Sequence, residues 1–533
     1  MYCTKDHNIC FILCLWQVTN MLKTVFYFQC ILFVQTGLFS VTTQQCISRD
    51  YGNGGTVCVC NATYCEFLPK IQPVDKARYL IYTSNKAGLR FEKSEGSFLP
   101  EQTTSKTKKF YVYTKEYQEI HGFGGAFTDS TGININSLNE GAKENLMRSY
   151  FGEDGIEYTL ARVPIGLSDF GLRDYSYAES EDPSLKNFKL APEDFQYKIP
   201  LILKANELAG HPIRLIGSAW SPPIWMKIIP KYVTLFGTLK SEMYQPWANY
   251  HLKFLEEYKK NNITFWGITT GNQPTIGYIT FNIPGLAMGP VQLGRWISQN
   301  LGPTLRKSEF SDIKVITLDD QRIFLPLWLV DMLLFNPGAK QYIDGIGVHW
   351  YLDSISPTLD LDLTHIFYPD KFILGTEGCR GNIPFEPDVS LGSWQRAEDY
   401  VKDIMENLQH WVTGWIDWNM ALDLVGGPSK YNSNADSPII VNKTAGEFYK
   451  QPTYYAMGHF SKFVPPGSKF IEISQYELSK TTVAFRRPDG GIAILIANTK
   501  DYDIDVAIID RNKNRGQINI HLTRHSLSSI VYW

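Results

Sequence analysis

A carboxylate that is to attack carbon needs an uncrowded place at the end of a rigid element. Glu377 closes the short apolar run Phe372-Ile-Leu-Gly-Thr and has the small neighbours Gly375 and Gly378, so it reads as a candidate nucleophile. No other run is read as ending directly on a carboxylate. Polar groups stand near the ends of comparable runs: Asn272-Gln273-Pro274, Asp169 after Leu160-Ala-Arg-Val-Pro, and Asp417 between Trp415 and Trp418. Carboxylates flanked by aromatic rings at one mouth suit a sugar, whose CH faces stack on rings and whose hydroxyls need acceptors. Taken singly, each of these groups is equally well a buried, hydrogen-bonded structural residue. Their convergence is what argues for a site.

Convergence requires elements that point the same way. From about residue 119, short β-branched or apolar runs alternate with longer amphipathic stretches. The run ends are His121-Gly-Phe-Gly-Gly, Leu160-Ala-Arg-Val-Pro, Ile216-Gly-Ser-Ala-Trp, Ile268-Thr-Thr-Gly-Asn, Val315-Ile-Thr-Leu-Asp-Asp, Ile346-Gly-Val-His-Trp-Tyr, Ile373-Leu-Gly-Thr-Glu and Trp415-Ile-Asp-Trp-Asn. Eight buried strands alternating with helices specify an α/β fold, a (β/α)8 TIM barrel, whose strand C-termini share one face. A doubly wound open sheet is the competing reading, but no G-x-G-x-x-G follows a strand. The cluster Gly122-Phe-Gly-Gly reads as a tight turn. The flanks, with alternating runs such as Ala77-Arg-Tyr-Leu-Ile-Tyr and Ile492-Ala-Ile-Leu-Ile, read as one β-sandwich built from both chain ends. The expected organisation is a leader over 1–45, a small disulfide-bearing β element over 46–70, a sandwich from 71–118 with 466–533, and the barrel over 119–465.

The chain has 533 residues, enough for such a barrel with an attached domain. Its 51 Lys+Arg against 54 Asp+Glu leave no basic footprint for nucleic acid. Lys23 precedes an apolar run from Val25 to Phe39 that ends near Ser40 and Thr42, the layout of a secretory signal; Met21 is an alternative start, and an uncleaved anchor the alternative reading. Cys46, Cys58, Cys60 and Cys65 cluster just beyond it, an even set that implies two bridges and leaves three pairings open. A zinc site is disfavoured because no C-x2-C spacing occurs. Asn61, Asn262 and Asn442 begin glycosylation sequons. The expectation is a secretory-pathway protein, lysosomal or secreted, with no metal and no cofactor.

Longer stretches carry a resemblance. Val57-Cys-Val-Cys-Asn-Ala-Thr-Tyr-Cys, Arg162-Val-Pro, Leu318-Asp-Asp-Gln-Arg, Val348-His-Trp-Tyr-Leu-Asp, Leu391-Gly-Ser-Trp, Trp415-Ile-Asp-Trp-Asn, Asp436-Ser-Pro-Ile-Ile-Val and Gly458-His-Phe-Ser-Lys-Phe make the chain similar to the glucosylceramidases (acid β-glucosidases) of glycoside hydrolase family 30. The resemblance covers essentially the whole chain after the leader. It implies a barrel with an immunoglobulin-like sandwich and a small N-terminal β element, the pairs Cys46–Cys58 and Cys60–Cys65, and retaining hydrolysis of glucosylceramide or another β-glucoside. It also implies a saposin-type activator and an anionic membrane surface. By motif, Glu377 matches the family's nucleophile. Arg162, Asp169, Phe170, Trp220, Asn272, His349, Tyr351 and Trp418 match residues that line or order its sugar pocket.

One departure bears on the chemistry. The family reads Asn-Glu-Pro where this chain reads Asn272-Gln273-Pro274, so an amide stands at the acid/base position. An amide cannot exchange a proton near neutral pH, and the lost contribution is roughly 10²–10⁴-fold. Asp169 and Asp417 are the nearby carboxylates that could substitute. The loop Thr275-Ile-Gly-Tyr-Ile-Thr-Phe-Asn-Ile-Pro, Ser433-Asn-Ala and Asn382 also differ from the family's pattern, which leaves the glucose half of the pocket kept and the lipid half changed. The resulting expectations are an impaired glucosylceramidase, a β-glucosidase for activated aglycones, or an inactive glycoside-binding homologue.

Overall fold

The computed structural model describes residues 45–101, 107–279, 282–381, 386–474, 481–511 and 515–533. Residues 1–44 of the expected leader, Asn382, and Thr280 and Phe281 of the loop after the fourth run lie outside the described residues. Among the described residues no helix is long and apolar enough to cross a membrane.

All eight apolar runs form strands, and these close into one barrel. In chain order they are Gly122–Ala126, Leu160–Pro164, Arg214–Ser218, Gly267–Thr269, Lys314–Gln321, Gly345–His349, Phe372–Glu377 and Val412–Asn419. Strand eight pairs in parallel with strand one to complete the ring. Because both faces of such strands are covered, their sequences are nearly continuous in apolar residues. Leu160, Ile216, Ile316, Leu374 and Ile416 fill the barrel interior as one buried layer.

Gly122-Phe-Gly-Gly is not a turn but strand one itself. A Cβ at Gly124 would collide with the backbone carbonyl of Leu160 on strand two, so glycine serves close strand approach there.

The sandwich draws on both chain ends, as expected. Its nine strands run in the order Gln517–Leu522, Ile504–Asp510, Lys108–Glu119, Lys469–Ser474, Thr482–Arg486, Ile492–Asn498, Ser526–Tyr532, Arg78–Asn85 and Glu92–Ser97. A bridge between Leu99 and Gln517 brings the two ends of this order together around a core that includes Phe110, Val112, Ile494, Val506, Ile518 and Ile530.

The N-terminal β element does not stand alone. Ser48–Asp50 and Thr56–Cys60 join a five-stranded sheet with Glu447–Lys450, Ile439–Asn442 and Ala421–Asp423, which follow barrel strand eight. Among the described residues Cys46–Cys58 and Cys60–Cys65 form disulfides, and Cys379 is a buried free thiol. Cys60, Cys65 and Glu66 lie close together, but the bridge consumes both sulfurs as metal ligands.

Candidate active site

Strand periodicity explains which side chains reach the barrel mouth. Leu160 faces the interior layer, so Arg162, two residues on, projects from the same side; Ile216 and Ser218, and Ile416 and Trp418, repeat the relation. Strands five and seven need irregularities to deliver their acids. Leu318 and Asp319 have φ of 69° and 53°, in the left-handed region. In strand seven the pairing slips by one residue between Gly375 and Glu377, opposite Val348 and His349.

Arg162 is the hub. Its Nη2 donates to Asp319 Oδ2 at 2.7 Å, Asn272 Oδ1 at 2.8 Å and Ser218 Oγ at 3.1 Å. Its Nη1 donates to Glu377 Oε2. Burial opposes the guanidinium charge, but Asp319 and Glu377 outweigh it and hold the pKa up. Trp220 and Trp418 stack 4.9 Å apart at 16°, and the Arg162 guanidinium lies over both rings at 4.8 and 5.4 Å. Phe170 meets Trp418 edge-on at 6.0 Å.

Glu377 is buried apart from 6% exposure, and Tyr351 OH donates to its Oε1 at 2.8 Å. His349 lies close to both Glu377 and Gln273. Its Nδ1 is 3.1 Å from Gln273 Nε2 and 3.8 Å from Glu377 Oε1, so the two tips lie less than about 7 Å apart. That spacing is shorter than most of the inverting range of roughly 6.5–9.5 Å. His349 Nε2 is 3.1 Å from Asp319 Oδ1. Burial would raise the Asp319 pKa, but Arg162 and the His349 hydrogen bond hold it below the usual carboxylate range. The ionised Asp319 accepts a hydrogen bond from His349 Nε2–H, which leaves Nδ1 as acceptor for the Gln273 amide.

Gln273 itself has a φ of 43°, and its backbone N–H donates to the Asp319 carbonyl at 2.9 Å. The Asn272 N–H likewise donates to the Ala219 carbonyl at 2.8 Å. Asp169 completes the pocket. Burial first, and then the charge of Glu377, push its carboxyl up to about 7, against the Trp220 hydrogen bond and Arg162, which favour ionisation.

Two sequence readings are corrected. Asp417 does not face the pocket: Ile416 and Trp418 point inward, so Asp417 points out and accepts from Tyr400 OH at 3.0 Å and from the Trp418 N–H at 2.8 Å. It is therefore no substitute for a missing proton donor in the mouth. Glu377 is also not the sole carboxylate at a run end, because Asp319 of Lys314–Gln321 enters the same network. The signal was present in Leu318-Asp-Asp, but a strand read with unbroken alternation hides the left-handed step that turns Asp319 inward. Ser218 is likewise inconspicuous in the sequence, being small and inside its run.

Residues 120–464 match the glycosyl hydrolase family 30 TIM-barrel domain, and residues 467–530 match the family's beta sandwich domain. The chain is 40% identical over 475 residues to the lysosomal acid glucosylceramidase of Mus musculus, covering 88% of this chain and 92% of that one. It is 39% identical over 498 residues to putative glucosylceramidase 4 of Caenorhabditis elegans, covering 91% and 94% respectively. Among solved structures, SrfJ from Salmonella typhimurium superposes with a TM-score of 0.78 at 25% identity, over 85% of this chain and 99% of that one.

Proposed function

The chain belongs to glycosyl hydrolase family 30, and from that premise we propose that it is a glucosylceramidase-like retaining β-glucosidase with Glu377 as nucleophile and a disabled acid/base position at Gln273. The observation that carries this reading is the contrast between two positions. Glu377 is oriented by Arg162 and Tyr351 on its two oxygens, whereas Gln273 offers His349 an amide N–H and has no proton to transfer.

In the first half-reaction a Glu377 oxygen attacks the anomeric carbon and the bond to the aglycone oxygen breaks, its electron pair staying with that oxygen. With no proton from position 273, the aglycone departs as an anion. In the second, water attacks the glycosyl ester and must shed a proton without a base at that position. Both steps slow for glucosylceramide, whose ceramide must depart as an alkoxide, and the first stays fast for aglycones that leave unaided. We assign sugar contacts to Asp169, Trp220, Asn272, Trp418 and Phe170, with Arg162, His349 and Tyr351 ordering the nucleophile.

The lipid substrate is suggested by relatives named as glucosylceramidases, and a saposin-type activator and an anionic membrane surface by the family resemblance alone. Leu327, Leu334 and Phe335, 69%, 71% and 64% exposed on one helix, support an amphipathic surface as a partner. The clustered disulfides support passage through the secretory pathway to the lysosome or outside the cell. Of the sequon asparagines, Asn262 is exposed, while the Asn61 and Asn442 side chains cap local turns.

Dinitrophenyl β-glucoside tests the reading. A rapid burst of dinitrophenol is expected, followed by slow turnover that azide accelerates as a nucleophile needing no base. A folded protein that gives no burst overturns the assignment of Glu377.

A further inference from the structure

The loops that follow barrel strands three and four are joined by a buried cation. Lys227 is fully buried, and its Nζ donates to the Gly285 carbonyl at 2.8 Å, the Tyr232 carbonyl at 3.2 Å and Ser221 Oγ at 3.4 Å. Ser221 follows Trp220 near the start of the strand-three loop, Tyr232 lies further along that loop, and Gly285 belongs to the loop after strand four. None of the three acceptors is charged. Burying an ammonium against neutral groups is costly, and burial pushes its pKa down to about 7. An apolar side chain of similar length would avoid that cost. What the lysine supplies instead is direction: three hydrogen bonds that fix two separate loops at one point.

Main-chain contacts continue the join. The Gly285 N–H donates to the same Tyr232 carbonyl at 3.3 Å. The Gly237 N–H donates to the Gly277 carbonyl at 3.3 Å, and the Ala287 N–H donates back to the Gly237 carbonyl at 3.1 Å. Nζ packs so closely on Gly237 that a Cβ there would lie 3.0 Å from it. The strand-four loop in turn folds back on its own root: the Ile276 N–H donates to the Gln273 carbonyl at 2.8 Å and the Met288 N–H to the Pro274 carbonyl at 3.2 Å. Ile228, Phe236 and Ile279 stand exposed on the joined loops, and the Phe236 ring meets Tyr278 of the other loop edge-on at 6.2 Å.

The chemistry decides which part of a substrate these loops meet. A retaining enzyme sets its acid/base side chain beside the glycosidic oxygen, so the loop that leaves strand four at position 273 flanks the aglycone. Resting on the reading of position 273 as the acid/base position, we propose that Lys227 is a positioning residue for aglycone selectivity: by fastening the two loops together it holds Ile228, Phe236 and Ile279 as one apolar rim against a hydrocarbon chain on the glucoside. Lys227 takes no part in bond breaking. Its loss weakens recognition of the chain and leaves the glucose contacts in place.

Calorimetry with octyl and methyl β-thioglucosides, below the micelle concentration of the octyl compound, is the test. The wild type should bind the octyl compound at least about tenfold more tightly, a gain that about two buried methylene groups supply. Lys227→Met should cut that preference by roughly fivefold or more while the affinity for the methyl compound stays within about twofold. Phe236→Ser removes an exposed ring from the rim without touching the lysine, and should cut the preference as well.

A wild type with no preference for the octyl chain overturns the proposal, as does a preference that survives either substitution. So does a Lys227→Met protein that fails to fold or loses the methyl compound too, because the lysine then serves the fold and not selectivity. A wild type that binds neither thioglucoside removes the glucoside site and this proposal with it. Binding of both compounds without the expected changes removes the role of Lys227 alone, and the dinitrophenol burst continues to report on Glu377 independently.

Discussion

Gln273→Glu isolates the consequence of one missing proton. The position is 8% exposed, its side chain meets His349 Nδ1, and Glu377 Oε1 lies 3.8 Å from the same nitrogen. A carboxyl installed there is pushed toward its protonated form by burial, by the neighbouring negative charge and by the acceptor lone pair on Nδ1. Held neutral, it can donate to a departing oxygen and later take a proton from water. General acid/base assistance is worth roughly 10²–10⁴-fold, or about 2.7–5.5 kcal/mol of barrier. The gain depends on the leaving group: an alkyl β-glucoside should gain the full factor in kcat/KM, whereas the dinitrophenol burst should change by less than about tenfold. The assay is kcat/KM for both substrates between about pH 5 and 7, with the burst as an internal control. Equal gains on both, or no gain on the alkyl glucoside with the burst intact, would refute the reasoning.

Arg162→Met should remove about 3–5 kcal/mol from the first urea unfolding transition, because Asp319 and Glu377 are left buried without their cation; a loss below about 1 kcal/mol would show that the network is not what holds the mouth together. A glucose-shaped iminosugar should bind in calorimetry, and Glu377→Gln should weaken it by roughly 10- to 100-fold through loss of a charged hydrogen-bond partner; no wild-type binding would remove the sugar site. His525 joins the sandwich to a barrel helix, with Nδ1 2.7 Å from Glu398 and Nε2 2.8 Å from Asp501. Burial lowers its pKa, but the two carboxylates outweigh this and leave it raised. Its stabilisation is therefore full below the unfolded value of about 6.5 and lost as pH rises through the folded value. His525→Gln should cost on the order of 1 kcal/mol near pH 5 and little above about pH 8, and a melting-temperature difference that does not vary with pH would contradict it.

The barrel was legible because strands covered on both faces must be apolar throughout, and such runs stand out between amphipathic stretches. The sandwich was legible from alternation, yet its strand order was not, since Lys108–Glu119 pairs with Lys469–Ser474 across most of the chain. The N-terminal strands were seen without their partners because Glu447–Lys450 is equally remote in sequence. At the site, Glu377 stands out by its place at a run end, and Gln273 only through the family resemblance. Asp319 does not, because a left-handed backbone step leaves no mark in residue type. Asp417 looks like a mouth residue by its flanking tryptophans, but the two-residue strand period sends Trp415 and Trp418 to different faces and turns Asp417 away from the mouth.

The left-handed backbone at Gln273 is fastened to the Asp319 carbonyl through main-chain atoms alone. The geometry that holds this side chain against His349 is thus indifferent to whether its tip is an amide or an acid. Conformational cost is borne either way, so the scaffold gains no slack from the substitution and would need no rebuilding for its reversal. On the proposed reading, a single side-chain exchange at position 273 separates the protein from a complete acid/base pair.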